Sequence, residues 1–282
     1  MSQFQDELPP PPYVPPPSEA PARQIIALPL SAPLHWLALG WHDLRAHPGI
    51  SLAFGLAFCV MAWVLSTVFH SQPEYTMTLV SGCLLVGPFL AMGLYDVSRR
   101  REQGLAPTLL ASATCWRSHL RSMGLLVGVL IVLELLWGRA SLVVIAVFFN
   151  TGMPSSASVV QAIFNPANLE FVLAYAVVGG VFAALVFATS VVSIPMILDR
   201  DTDAISAAIT SIAVVLDNPG VMLQWGALIV LLTAAALLLP WALGLLLVGP
   251  LLGHASWHAY RGSVRWLDTA TAQAPAAGTA PS

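Results

Sequence analysis

Six long apolar runs, separated by proline-bearing or arginine-bearing stretches, organise this chain. A hydrocarbon core of about 30 Å is crossed by about 20 helical residues. Runs of that order fall at roughly 50–69, 77–97, 123–149, 169–198, 221–239 and 241–260. Three shorter stretches, His35–Ala46, Thr108–Arg121 and Ala204–Asp217, carry apolar residues at helical spacing and read as amphipathic helices. In the first the stripe is Leu34, Leu37, Trp41 and Leu44; in the last it is Ile205, Ile209, Ile212 and Leu216. Two of the three stop at a proline step, His47-Pro48-Gly49 and Asn218-Pro219-Gly220.

The order then repeats: amphipathic helix, span, turn, returning span with an internal proline and a charged exit. Leu85-Val86-Gly87-Pro88 recurs as Leu247-Val248-Gly249-Pro250, with an aromatic seven residues on (Tyr95, Trp257) and an arginine eleven residues on (Arg99, Arg261). The middle unit has Pro195, then Asp199 and Arg200. The fold expected is all-α and polytopic. Six transmembrane helices form three tandem hairpins, each preceded by an interfacial amphipathic helix on the cytoplasmic side. The units fall at about 35–102, 106–203 and 204–265 within a membrane domain at 33–266. A proline-rich head, 1–32, and an Ala/Pro tail, 267–282, have too little apolar material to pack and read as disordered.

Charge sets the orientation. The chain has no lysine, and ten of its eleven cationic residues, all arginine, lie between or beyond the spans at Arg23, Arg45, Arg99–Arg101, Arg117, Arg121, Arg200, Arg261 and Arg265. The connections at 70–76, 150–168 and 239–241 have none. By the positive-inside rule both termini face the cytoplasm. At 57% hydrophobic and 9% charged residues the composition is that of a membrane protein, and a net charge of −3 without a basic patch excludes a nucleic-acid partner. Cys59, Cys83 and Cys115 form no CxxC pair and read as packing residues.

Few groups carry chemistry. Glu134 and Arg139 are the charged residues well inside a span, where each costs about 2.5–3.5 kcal/mol to insert. Arg139 lies roughly 24 Å along the helix from its cytoplasmic start and is expected to reach the outer headgroups beside Trp137. Glu134 is the better candidate for handling a proton or cation. At the cytoplasmic mouth, pseudo-threefold packing would bring Asp96, Asp199, His254 and His258 together. His254 and His258 share a helix face at metal-ligand spacing, although helix-end His and Asp residues are ordinary caps and headgroup contacts. The run Asp199-x-Asp201-x-Asp203 has Ala204 in place of the glycine of a calcium loop and Thr210 in place of its glutamate, so calcium is not expected. Pro88, Pro195 and Pro250 are expected to kink three returning spans. Ala176, Gly180, Ala184 and Ala188 make a small-residue stripe, expected to pack against another hairpin or else against another chain.

Three stretches resemble a bacterial group of integral membrane proteins, the domain of unknown function 2189 family. They are Gly40-Trp41-His42-Asp43-Leu44 with Pro48, Ser51 and Leu52; Gly93-Leu94-Tyr95-Asp96 through Ser98-Arg99; and Ser193–Asp201 with Asp203-Ala204, together with Pro250–Ala255 and Trp257–Arg261. The resemblance spans roughly 35–265 and implies a multi-pass protein of a bacterial inner membrane without an agreed activity. A haem–copper core does not fit, because the spans have no histidine near their middle.

No nucleophile–base pair, phosphate loop or dinucleotide fingerprint appears, so the chain reads as a non-enzyme without cofactor or metal. The reading preferred is a scaffold or accessory subunit that assembles with another inner-membrane complex or with itself. The alternative is a small transporter or channel using Glu134 and the Asp/His mouth.

Overall fold

The computed structural model describes residues 23–71, 76–149 and 168–267. The head at 1–22, the tail from 268, and the connections at 72–75 and 150–167 lie outside the described residues, and with them most of the two terminal segments set apart above. The chain divides into two units. The larger, 25–264, contains all the helices. The described residues of the smaller are Arg23, Gln24 and 265–267, in or next to the short strands β1 (Arg23–Ile25) and β2 (Val264–Trp266), which pair as a two-stranded ribbon.

The helices follow in the order α1 (Ala32–Ala46), α2 (Pro48–Ser71), α3 (Thr76–Glu102), α4 (Leu109–Thr114), a 3-10 turn (Cys115–His119), α5 (Leu120–Phe148), α6 (Leu169–Ser190), α7 (Ser193–Arg200), α8 (Ala204–Asp217), α9 (Pro219–Leu237), a second 3-10 turn (Pro240–Ala242) and α10 (Leu245–Ser263). By length and composition four stretches can cross a membrane: α2, Leu109–Phe148, Leu169–Arg200 and α9. Their exposed surface is mostly apolar: Leu56 and Trp63 on α2, Val132 and Val143 on α5, Leu173 and Val177 on α6, and Leu223 and Val230 on α9 all face outward. A contiguous apolar exterior of this extent suits lipid rather than water.

Two details depart from the sequence expectation, at 108–121 and at 169–198. The segment 108–121 is not one amphipathic helix: α4 gives way at Cys115 to the 3-10 turn, and α5 already starts at Leu120. Thr108 caps α4 by accepting from the Ala111 N–H, while Thr114 turns its hydroxyl back onto the Leu110 carbonyl. The run at 140–149 continues α5 without interruption to Phe148, giving 29 residues, or about 44 Å at about 1.5 Å per residue. The run at 169–198 is two helices rather than one kinked helix. It breaks at Val191–Val192, and the Ser211 hydroxyl on α8 accepts the Val192 N–H at 3.1 Å. Pro195 therefore sits in the first turn of α7, where a missing N–H costs nothing, whereas Pro88 and Pro250 stay inside unbroken α3 and α10.

Helix α10 is central, touching α1, α2, α3 and α9. Close approach is made by glycines. A Cβ on Gly40 would stand 2.7 Å from the Ala255 nitrogen, so α1 crosses α10 backbone to backbone. A Cβ on Gly55 would collide with the Leu246 carbonyl, so α2 seats its backbone against the same helix. Trp36 of α1 meets Trp225 of α9 edge to face at 5.6 Å, and both are buried. The stripe expected on α1 is divided: Leu34 and Trp41 are exposed, Leu37 is half-buried and Leu44 is buried, while Trp36, Gly40 and Asp43 point inward. On α8 likewise Ile205, Ile209 and Leu216 are exposed, and Ala207, Ser211 and Val214 are buried.

Candidate functional site

The densest polar assembly lies where the ends of α1, α2, α3 and α10 converge. Positions 36, 40 and 43 recur on one helical face of α1, so the packing that buries Trp36 and Gly40 carries Asp43 inward as well. On α10, His254 and His258 are one turn apart, and on α3 so are Ser98 and Arg101. Ser51 comes from the first turn of α2.

The hydrogen bonds define a single chain. Ser98 donates to Oδ2 of Asp43 at 2.6 Å, and its own oxygen lies 2.8 Å from Nδ1 of His254. Because the serine proton is committed to the carboxylate, Nδ1 of His254 must carry a proton and donate to the serine oxygen. In the neutral imidazole Nε2 of His254 then accepts from the Ser51 hydroxyl at 2.9 Å. Ser51, Ser98 and His254 are wholly inaccessible to solvent.

Asp43 is the hub. Besides Ser98 it accepts from Nε2 of His258 at 2.8 Å and pairs with Arg101, which also reaches His42. Burial pushes the Asp43 carboxyl up, but the hydrogen bonds from His258 and Ser98, with the His258 charge, outweigh it and hold the group below its ordinary value. Nδ1 of His258 lies 3.6 Å from Glu102, which holds Arg261 at 3.2 Å. Arg261 leads on to Asp199 at 3.8 Å, and Asp199 also accepts from the Tyr260 hydroxyl at 2.7 Å.

Asp96 forms a neighbouring cluster. Wholly buried, it takes Arg99 at 2.9 Å, Arg100 at 2.6 Å and the Ser112 hydroxyl at 3.0 Å, tying α4 to α3. Arg99 continues to the Leu198 carbonyl at the end of α7. The four mouth residues thus lie at one end of the protein, but they do not form one cluster. His254 and His258 meet at Asp43, Asp199 is reached through Arg261, and Asp96 is held by arginines of its own helix. Asp43, Ser51 and Ser98 were not among the candidates, although all three fall in the segments that carry the family resemblance. Among the described residues no group of three or more His, Cys, Asp or Glu side chains is arranged to hold a metal ion.

The other candidates lie elsewhere. Glu134 borders a cavity of about 300 Å³ between α5 and α6, beside Trp137, Gly179, Phe182 and Ala183, and no described residue hydrogen-bonds to it. Arg139 is exposed and has no ion-pair partner among the described residues. The small-residue stripe does not pack on another described hairpin. Ala176, Gly180 and Ala184 are exposed, Ala188 is half-buried, and a Cβ on Gly180 would meet nothing within 4 Å. Gly179, one position round the helix, is the residue that meets α5, at the ring of Trp137. A second, almost wholly apolar cavity of about 380 Å³ lies among α2, α3, α9 and α10, with Phe58, Tyr95, Thr233, Gly249 and Ser256 on its wall.

Comparison with known proteins places part of this chain. Residues 76–199 match the family model described as predicted integral membrane protein (DUF2189). That stretch holds Asp96, Ser98, the Arg99–Arg101 run, Glu134 and Asp199; Asp43, Ser51, His254 and His258 fall outside it. No curated protein and no solved structure matches the chain.

Proposed function

We propose that this integral membrane protein is a non-enzymatic scaffold or accessory subunit, assembling with another complex of a bacterial inner membrane. In this reading α3 and α10 also span the bilayer, giving six spans as three tandem hairpins. The arginine-rich end, with both termini, faces the cytoplasm. That α3 and α10 are more polar than the other spans is explained by what they hold, since Asp96, Ser98, Arg101, His254 and His258 are engaged inside the protein.

The observation that carries the proposal is the contrast between the two sides of the molecule. The polar cluster is used up internally, each imidazole and carboxylate bonded to a neighbouring helix, so it holds the fold and presents no reacting group. Of the 22 residues of α6, by contrast, Phe171 is the one that is buried. The remaining surface of α6, including Ala176, Gly180 and Ala184, is the kind that lets a second helix approach closely in a membrane. The test is photo-crosslinking from position 180 in native membranes, followed by mass spectrometry of the adduct. A single protein recovered in defined ratio supports the reading; lipid alone at that position refutes it.

Glu134 favours a second reading, a small transporter, because it is an intramembrane carboxyl beside a cavity with no partner among the described residues. Reconstitution of the protein with Glu134→Gln decides this one. A proton or cation flux abolished by the substitution supports transport, and an unchanged flux removes it.

A further inference from the structure

A different cavity, of about 750 Å³, opens where the 3-10 turn, the start of α5 and the α7–α8 loop meet. Its wall is unlike the others. Ser118, His119, Arg121 and Ser122 stand on one side, and Asp201 and Asp203 on the other. His119 and Asp201 bridge the two at 2.8 Å. Asp203 is anchored by capping α8, accepting the Ser206 N–H at 2.8 Å, and Asp201 ends α7 in the left-handed region at φ 50°. Arg121 has no carboxylate partner among the described residues, although two carboxylates line the same cavity. Apart from the His119–Asp201 contact, the positive pole at Arg121 and the negative pole at the two carboxylates do not close on each other, which leaves room for a molecule carrying both charges. The rim is apolar: Leu125 and Ile205 are 54% and 64% exposed. With α5 crossing the bilayer and its start on the cytoplasmic side, as proposed above, the cavity sits at the boundary between headgroups and hydrocarbon.

We propose that this cavity binds a zwitterionic phospholipid whose headgroup joins a phosphodiester to a primary ammonium, as in phosphatidylethanolamine. Arg121 takes the phosphate through its forked N–H donors, supported by the Ser118 and Ser122 hydroxyls. The ammonium donates to Asp201 and to the free lone pairs of Asp203. The acyl chains leave past Leu125 and Ile205. The carboxylates disfavour an anionic glycerol headgroup, and the fixed position of both poles distinguishes the site from general attraction of arginine to the leaflet.

The test is native mass spectrometry of the delipidated full chain in detergent, titrated separately with phosphatidylethanolamine, phosphatidylglycerol and water-soluble glycerophosphoethanolamine. The intact protein is expected to take one phosphatidylethanolamine about tenfold more tightly than phosphatidylglycerol, which is about 1.4 kcal/mol. Arg121→Gln should weaken both lipids by about tenfold, with Arg121→Lys restoring part of the loss. Asp201→Asn, which an asparagine tolerates in the left-handed region, should erase the preference between the lipids while leaving phosphatidylglycerol binding intact. A thermal unfolding midpoint within about 2 °C of the parent confirms that each variant is folded. Equal binding of the two lipids, or binding unmoved by Arg121→Gln, overturns the proposal. So does glycerophosphoethanolamine binding as tightly as the lipid, which would make the ligand a soluble phosphodiester.

Discussion

Nε2 of His258 stands 2.8 Å from Oδ2 of Asp43, closing a contact across 215 positions of sequence. That contact fastens the first helix to the last. Removing one member of such a buried pair leaves the other desolvated and unpaired, which costs about 3–5 kcal/mol. Asp43→Ala is therefore expected to lower the unfolding midpoint in detergent substantially and to expose α1 amides to hydrogen exchange ahead of α2. Exchange in α1 unchanged from the parent would show that the helix is held by its Trp36 and Gly40 packing alone.

The pH response follows from the same carboxylate. Burial raises the Asp43 pKa, but the His258 and Ser98 hydrogen bonds more than reverse this, so its folded value lies below the ordinary 3.8. A group with a lowered folded pKa binds fewer protons when folded. Its stabilising contribution is thus complete above the unfolded value of 3.8 and is lost as pH falls through the folded value. Thermal stability should hold from neutral pH down to about pH 4 and drop below it. Asp43→Asn should be less stable at neutral pH and lack that acid limb.

Helix crossing at Gly40 permits no side chain. A methyl group there would lie 2.7 Å from the Ala255 nitrogen and 2.9 Å from the Leu251 carbonyl, both backbone atoms. Gly40→Ala should destabilise by about 1–3 kcal/mol, as overpacking does, and Gly40→Leu should prevent accumulation of folded protein. Thermal unfolding and size exclusion in detergent read both.

Adjacent glycines on α6 separate packing from exposure. At Gly179 an added Cβ would press to 3.1 Å on the Trp137 ring, while at Gly180 nothing lies within 4 Å. Gly180→Ala should leave the isolated protein as stable as before or raise its stability by about 0.5–1 kcal/mol through helix propensity. Gly179→Ala should gain less or lose. If a partner helix sits on α6, Gly180→Leu will abolish its recovery without changing the melting of the purified chain.

Many of the elements were readable because apolar length and proline steps report directly on helices: the starts at Pro48 and Pro219 fall at the proline steps, whereas around Pro240 α9 already ends at Leu237 and α10 begins only at Leu245. His254 and His258 were readable as a pair because i,i+4 spacing is local. Asp43 was not. It is one of 14 acidic residues, and its role depends on partners from α3 and α10 that local spacing cannot bring together. A signal was present in its phase, since Asp43 follows Trp36 and Gly40 on one face and opposes the Leu34–Trp41 stripe. The small-residue stripe is a related case. Both Gly179 and Gly180 permit close approach, and what selects the first is an aromatic side chain, Trp137, on a different helix. The break at Val191 was also hidden, because the hydroxyl that accepts the freed N–H belongs to Ser211.

The Asp43 clasp has a consequence for how the protein is made. Translation delivers Asp43 and Ser51 about 200 residues before His254 and His258 leave the ribosome. At typical elongation rates of about 5–20 residues per second, that is an interval of roughly 10–40 s. Throughout it the N-terminal helices have a buried-to-be carboxylate and no imidazole to receive it. Emergence of the last helix ends that state, so the clasp serves as a completion mark: a chain stalled or cleaved before residue 254 holds Asp43 by Ser98 and Arg101 alone, with nothing fastening the first helix to the last through it.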